Sequence, residues 1–191
     1  MKKYLLLLFL QVLFNKNDFI QAQWVQTNGP GGARVLSFAI RDNNIFAGTY
    51  GGIHLSTDNG LTWNAINNGL PENTSFISMA IKDNIVWAGT YGKGIFLSTN
   101  GGLNWSSAND GLPVEYAWIN GLVFSRDTVF AGIYTGNYGE VYISTDYGES
   151  WGSVSNGLPK FNNLKALSIS RNRLVAAISK GIYLSVDNGL H

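Results

Sequence analysis

One stretch of nine residues recurs along this chain and restricts its fold more than any other feature. Leu55-Ser-Thr-Asp-Asn-Gly-Leu-Thr-Trp63 returns as Leu97-Ser-Thr-Asn-Gly-Gly-Leu-Asn-Trp105 and as Ile143-Ser-Thr-Asp-Tyr-Gly-Glu-Ser-Trp151, then in part as Leu184-Ser-Val-Asp-Asn-Gly-Leu-His191. The copies start at 55, 97, 143 and 184, spaced by 42, 46 and 41 residues. Two more signatures keep this period. Asn68-Gly-Leu-Pro71, Asp110-Gly-Leu-Pro113 and Asn156-Gly-Leu-Pro159 follow the complete copies. Phe46-Ala-Gly-Thr-Tyr50, Trp87-Ala-Gly-Thr-Tyr91, Phe130-Ala-Gly-Ile-Tyr134 and a degenerate Val175-Ala-Ala-Ile-Ser179 precede them.

Each unit divides into four short strands. In the first these are 35–40, 44–50, 52–57 and 62–67, joined by Asp-Asn and Asn-Gly turn pairs that suit tight hairpins. Continuous apolar runs such as Ile45-Phe46-Ala47 suit strands covered on both faces. A period of 40–45 residues with four strands per unit predicts an all-β propeller of four-stranded antiparallel blades. The blades fall at about 31–70, 71–112, 113–158 and 159–191. Trp24-Val-Gln-Thr-Asn-Gly-Pro30 aligns with Trp63-Asn-Ala-Ile-Asn-Asn-Gly69, so residues 24–28 read as an isolated outer strand. The order is then one outer strand, three whole blades and three strands of a fourth. Such a chain is either a four-bladed ring closed by its first strand, a fragment of a larger propeller, or half of a two-chain ring.

Residues 1–22 stand apart. Lys2 and Lys3 precede an apolar run from Leu5 to Phe14 that only Gln11 breaks, and Ala22 follows. Ten residues span about 15 Å as a helix, half of a bilayer core, so this reads as a signal peptide and not a transmembrane span. The expected location is secreted, periplasmic or cell-surface. The 13 basic and 12 acidic side chains balance, and no basic run makes an electrostatic case for nucleic acid. With no cysteine and only His54 and His191, thiolate metal sites, cysteine nucleophiles and a Ser-His-Asp centre find no support, and no cofactor or metal is expected. His54 stands where other units have Phe96, Tyr142 and Tyr183, and reads as a packed strand residue.

The repeated Ser-x-Asp-x-Gly-x-x-Trp resembles the Asp-box, or BNR repeat, of sialidases, xyloglucan-acting glycosidases, sortilin-type receptors and photosystem II assembly factors. Ser56, Asp58, Gly60 and Trp63 match fully, as do Ser144, Asp146, Gly148 and Trp151. Ser98, Gly102 and Trp105 match around Asn100, and Ser185, Asp187 and Gly189 match as far as the sequence runs. The resemblance implies a structural role for these residues. Physical chemistry agrees: an Asp or Asn in a short turn accepts its own turn's amide protons, Gly supplies a positive φ, and Trp covers the hairpin end.

Catalytic residues are harder to find. A sialidase-like arginine triad would need convergent arginines, but Arg41, Arg126 and Arg171 fall at the same turn of successive units and Arg34 lacks the family's sequence context. Glycoside hydrolysis needs two carboxyl groups about 5–9.5 Å apart. Glu115 and Glu140, unmatched in other units and read as loop residues, are the weak candidates. Binding has better support. Strand direction puts the second-to-third-strand loops and the inter-unit loops on one face, which gathers Tyr50, Tyr91 and Tyr134, with Tyr116, Trp118 and Tyr138 from the longest unit. The leading expectation is a non-enzymatic propeller binding a protein or glycan there, with a glycoside hydrolase as the alternative.

Overall fold

The computed structural model describes residues 25–159 and 163–189; the expected leader, Trp24 and His191 lie outside them. Among the described residues there are fifteen strands and no helix. The first sheet contains β1 (Val35–Arg41), β2 (Asn44–Thr49), β3 (Gly52–Ser56) and β4 (Asn64–Ala65). The second contains β5 (Phe76–Lys82), β6 (Ile85–Thr90), β7 (Ile95–Ser98) and β8 (Ser106–Ser107). The third contains β9 (Trp118–Ser125), β10 (Thr128–Tyr134), β11 (Gly139–Ser144) and β12 (Gly152–Ser153). The fourth has β13 (Leu164–Ser170), β14 (Arg173–Ile178) and β15 (Gly181–Ser185). Every sheet is an antiparallel meander in chain order. The inner strands β1, β5, β9 and β13 pack on one another in succession, so the sheets stand as blades around a common hollow.

The repeat signatures explain how the blades meet. On the second strand a Phe or Trp fills the joint: Phe46, Trp87 and Phe130 are completely covered, each worth on the order of 3 kcal/mol of burial. Two residues on, a glycine clears a path. A Cβ on Gly48 would fall 2.4 Å from Ser37 Oγ and 2.7 Å from Phe76 O; one on Gly89 would fall 2.3 Å from Ser78 Oγ and 2.5 Å from Ile119 Cγ2. The fourth unit has Ala177 at this position, on the side where no further blade stands among the described residues. Hydrogen bonds cross the same joints. Ser37 Oγ donates to Phe76 O at 2.8 Å, Ser78 Oγ to Ile119 O at 2.5 Å, and Asn120 Nδ2 to Leu164 O at 2.6 Å.

The nine-residue repeat closes the turn between third and outer strands. Ser56 Oγ accepts the Gly60 amide at 2.8 Å and donates to Asp58 Oδ1 at 2.8 Å. Asp58 in turn accepts the Thr62 amide at 2.9 Å and the Thr62 hydroxyl at 2.6 Å. The pattern returns around Ser144 and Asp146 and around Ser98, where Asn100 Oδ1 accepts the Asn104 amide at 3.0 Å. Ser185 Oγ likewise accepts the Gly189 amide and donates to Asp187. Trp105 and Trp151 reach back to the preceding blade, their Nε1 donating to Ile66 O at 2.8 Å and Ala108 O at 3.1 Å. Trp63 instead donates to Gly60 O of its own turn at 3.2 Å.

Two expectations differ from the structure. The outer strands are two residues long, not the six expected at 62–67, because side chains take over the ladder: Asn67 Oδ1 accepts the Ile53 amide at 2.8 Å, Asn109 Oδ1 the Ile95 amide at 2.7 Å, and Ser155 Oγ the Val141 amide at 2.9 Å. Residues 25–28 form no strand; they lie against the first blade's own turn, with Asn28 Nδ2 donating to Leu61 O at 3.2 Å.

Two predictions follow from these turns and joints. Gly69 and Gly92 share a φ of +90°, but a Cβ on Gly69 would fall 2.1 Å from Trp105 O while one on Gly92 meets nothing. Gly92→Ala is expected to cost about 1 kcal/mol for the left-handed backbone alone, and Gly69→Ala about 3 kcal/mol or more, measured by urea unfolding. The Thr62 hydroxyl, the Thr62 amide and the Ser56 hydroxyl hold the Asp58 carboxyl down at about 2, from 3.8. Asp146 is lowered in the same way, first by Ser150. A depressed carboxyl adds stability above its unfolded value that is lost as pH falls through the folded one. The Asp58→Asn, Asp146→Asn double variant is therefore expected to fold at neutral pH and to lose less stability than the parent between pH 4 and 2.

Candidate binding face

Backbone hydrogen bonds first fix the loops at the second-strand ends. Gly51 donates to Thr74 O at 2.9 Å and Gly92 to Ala117 O at 2.8 Å, so each loop is tied to the segment leading into the next blade. Isolated bridges pair Tyr50 with Ser75 and Tyr91 with Trp118. This framework brings the expected aromatics together across blades. The Tyr91 and Trp118 rings stack with centroids 4.5 Å apart, and Tyr134 meets Trp118 edge-on at 5.5 Å. Tyr50 and Tyr91 are 65% and 52% exposed, and neither hydroxyl has a hydrogen-bond partner among the described residues. Tyr134 Oη donates to Gly136 O at 2.5 Å. Tyr116, at φ +57°, projects into solvent beside them and is 82% exposed.

Next to this ladder lies a hollow of about 760 Å³ lined by Arg34, Leu36, Tyr50, Ser75, Ile77 and Tyr91. Leu36 and Ile77 were not expected there. Both occupy β-bulges, between Val35 and Ser37 in β1 and between Phe76 and Ser78 in β5, and a bulge turns a residue that strand alternation would assign elsewhere. No signature in the sequence marks these bulges. Arg34, considered above only as a sialidase-type arginine, stands exposed at the rim of this hollow.

The inter-unit loops are only partly available on this face. Trp105 N donates to Asn68 O at 2.9 Å and Trp151 N to Asp110 O at 3.0 Å, so the Gly-Leu-Pro loops begin by clasping the next blade's tryptophan at the outer rim. The Arg turns lie elsewhere: Arg41 ends β1, with Nη1 donating to Asn84 Oδ1 at 3.2 Å, while Arg126 and Arg171 occupy left-handed turn positions at φ +56° and +58°.

The two candidate carboxylates sit apart in character. Glu115 is exposed in the loop before β9 and has no hydrogen bond or ion pair among the described residues. Glu140 belongs to β11 and not to a loop; Gly139 and Glu140 extend the ladder opposite Tyr134 and Ile133. Its carboxylate accepts the Tyr142 hydroxyl at 2.9 Å. Burial, then that hydrogen bond and the nearby negative charge, push the Tyr142 phenol up to about 12. His54 is half-buried, and burial lowers its pKa. Among the described residues, no group of three or more His, Cys, Asp or Glu side chains is placed to hold a metal ion, and no helix is long and apolar enough to cross a membrane.

The sequence matches no protein-family model and no curated protein. Solved structures do resemble it in fold. The computationally designed Ika4 protein aligns with a TM-score of 0.63 at 16% identity, over 86% of this chain and 99% of its own. The Niastella koreensis GH74 enzyme aligns with a TM-score of 0.61 at 20% identity, over 80% of this chain and 28% of its own. YCF48, solved bound to a D1 peptide, aligns with a TM-score of 0.59 at 20% identity, over 78% of this chain and 50% of its own. The chain thus spans the whole of the small design but half or less of the two natural proteins.

The Tyr142–Glu140 pair makes a simple spectroscopic prediction. In Glu140→Gln one tyrosine is expected to titrate below about 12 and towards the ordinary 10, followed by phenolate absorbance, because the charge that opposes ionisation is gone. With the arrangement of the antiparallel sheets and these alignments, the chain has a β-propeller fold.

Proposed function

We propose that this chain is an exported, non-enzymatic propeller of the Asp-box type whose aromatic face binds an extended segment of another protein. The observation that carries this reading is the run of rings Tyr50, Tyr91, Trp118 and Tyr134 across three blades, beside the hollow that ends at Arg34. Aromatic residues present large, rigid, amphipathic surfaces that lose little entropy on binding, and a few such anchors carry most of an interface's affinity. The unbonded hydroxyls of Tyr50 and Tyr91 leave donors and acceptors for a backbone or a polar side chain. YCF48, of related fold, is a protein solved with a peptide bound. Residues 1–22, with their paired lysines and short apolar run, support export.

A glycan is the second ligand class that such a face suits, and glycoside hydrolysis is the alternative activity, supported by the fold of the GH74 enzyme. The tie between Glu140 and the Tyr142 hydroxyl favours a structural duty for that carboxylate over an acid–base one.

Selection from a displayed peptide library, in parallel with a glycan array, separates these readings. Peptide ligands are expected, and Tyr91→Ala or Trp118→Ala should weaken them at least tenfold with unfolding midpoints little changed. Glycan ligands alone would move the assignment to carbohydrate binding. Turnover of labelled glycosides that Glu115→Gln or Glu140→Gln abolishes would establish the enzyme instead.

A further inference from the structure

At each end of the four-blade arc a blade face lies open, and each open face is one half of a contact made three times within the chain. Phe38 of β1 has the repeat position of Met79 and Leu122, opposite an alanine of the second strand in every case. Met79 and Leu122, covered by the preceding blade, are 9% and 6% exposed; Phe38 is 67% exposed. Ile182 of β15 has the position of Ile53, Ile95 and Val141, which are 0%, 0% and 2% exposed under the following blade, against 77% for Ile182. Ile40 and Leu184 are likewise exposed beside them. The surface that would cover one end is therefore of the kind displayed at the other.

Parts of an outer strand are divided between the same two ends. Thr27 lies against the first blade's turn, 3.1 Å from a Cβ built on Gly60. Inside the chain Ile66 holds that seat against Gly102, and Val154 holds it against Gly189. Val25, Gln26 and Thr27 thus stand where Asn64, Ala65 and Ile66 would stand in a blade preceding the first. Three residues before Ile66 and Val154 come Trp63 and Trp151, and three before Thr27 comes Trp24. At the far end, β15 has no outer strand among the described residues, and a cavity of about 170 Å³ opens among Val154, Gly157, Leu158, Leu174 and Tyr183. In the two inner joints the matching place belongs to a tryptophan. Trp105 bonds Ile66 O and lies over Gly69, and Trp151 bonds Ala108 O and lies over Gly111.

We propose that a second copy of this chain completes the ring, its residues 25–27 adding the outer strand to β15 beside this cavity. The partner's first blade then covers Ile182 and Leu184 with Phe38 and Ile40. A second copy is the occupant, not the chain's own first segment, because the packing that links β1 to β5, β5 to β9 and β9 to β13 is not repeated between β13 and β1. Each chain donates at one end and accepts at the other, so two copies exchange both contacts and close with two-fold symmetry, leaving no open edge. The register is set by the first blade. Ala65 stands opposite His54 and Asn64 opposite Leu55, so Gln26 of one copy faces Tyr183 of the other, and Val25 faces Leu184.

The test uses the full chain, exported and purified, and its lack of cysteine makes crosslinking specific. Light scattering is expected to give twice the single-chain mass at micromolar concentration, and Ile182→Lys to halve it with the strand signal in circular dichroism retained. Independently of how that variant folds, a Gln26→Cys chain mixed with a Tyr183→Cys chain is expected to form a covalent two-chain product on oxidation, in a yield that neither chain gives alone. A single-chain mass at every concentration overturns the proposal. So does crosslinking confined within one chain when both cysteines are placed in it, or a mass that grows without limit.

Discussion

The fold depends on one sheet being able to lie close against the next. Flat two-sided sheets gain little stability alone, and here the joint is made by a large ring on the second strand and a glycine two residues later. Trp87 and Gly89 form such a pair; a Cβ on Gly89 would strike Ser78 and Ile119. The hydrogen bonds from Ser37, Ser78 and Asn120 then fix the stagger of neighbouring inner strands. Because the joint is repeated, the face of each blade is specified before any ligand is considered, and so is the surface left open at each end.

That framework decides what the molecule can present. The rim carries the turns built by Ser56 and Asp58 and their counterparts, whose polar atoms are consumed by their own backbone. Trp105 and Trp151, which follow two of these turns, are committed to the preceding blade. What remains uncommitted is the aromatic run from Tyr50 to Tyr134 and the hollow beside it, held in place by loops whose backbones are bonded to the next blade. A rigid scaffold with exposed rings on its tied loops is the kind of surface on which functional residues gather.

Much of this was legible in the sequence because each joint leaves a residue-level trace that repeats. The ring, the alanine and the glycine of the second strand mark the inner three strands of the first three units nearly to the residue, and the Ser-Asp-Gly or Ser-Asn-Gly turn marks where the third ends. Outer strands were overestimated because Asn67, Asn109 and Ser155 substitute side-chain atoms for backbone ones, which no periodicity records. The tyrosines of the candidate site were visible as repeat positions. Leu36 and Ile77 were not, since a β-bulge changes a residue's direction without changing its type. Glu140 stands at the start of the third strand of its unit, one residue after Gly139 opens the ladder opposite Tyr134. The division of an outer strand between two ends was visible in Trp24 to Pro30 as an alignment, but the side on which it docks required coordinates.

The central claim is that every blade face, including the two at the ends, is one and the same contact and is covered in solution. Residue-resolved amide hydrogen exchange at Ile182 tests it most directly. Ile53, Ile95 and Val141, its counterparts, each donate their amide to a side chain two residues beyond the outer strand. The account predicts that Ile182 exchanges as slowly as those three. Exchange at Ile182 near the rate of an unstructured peptide, with the other three protected, would contradict it.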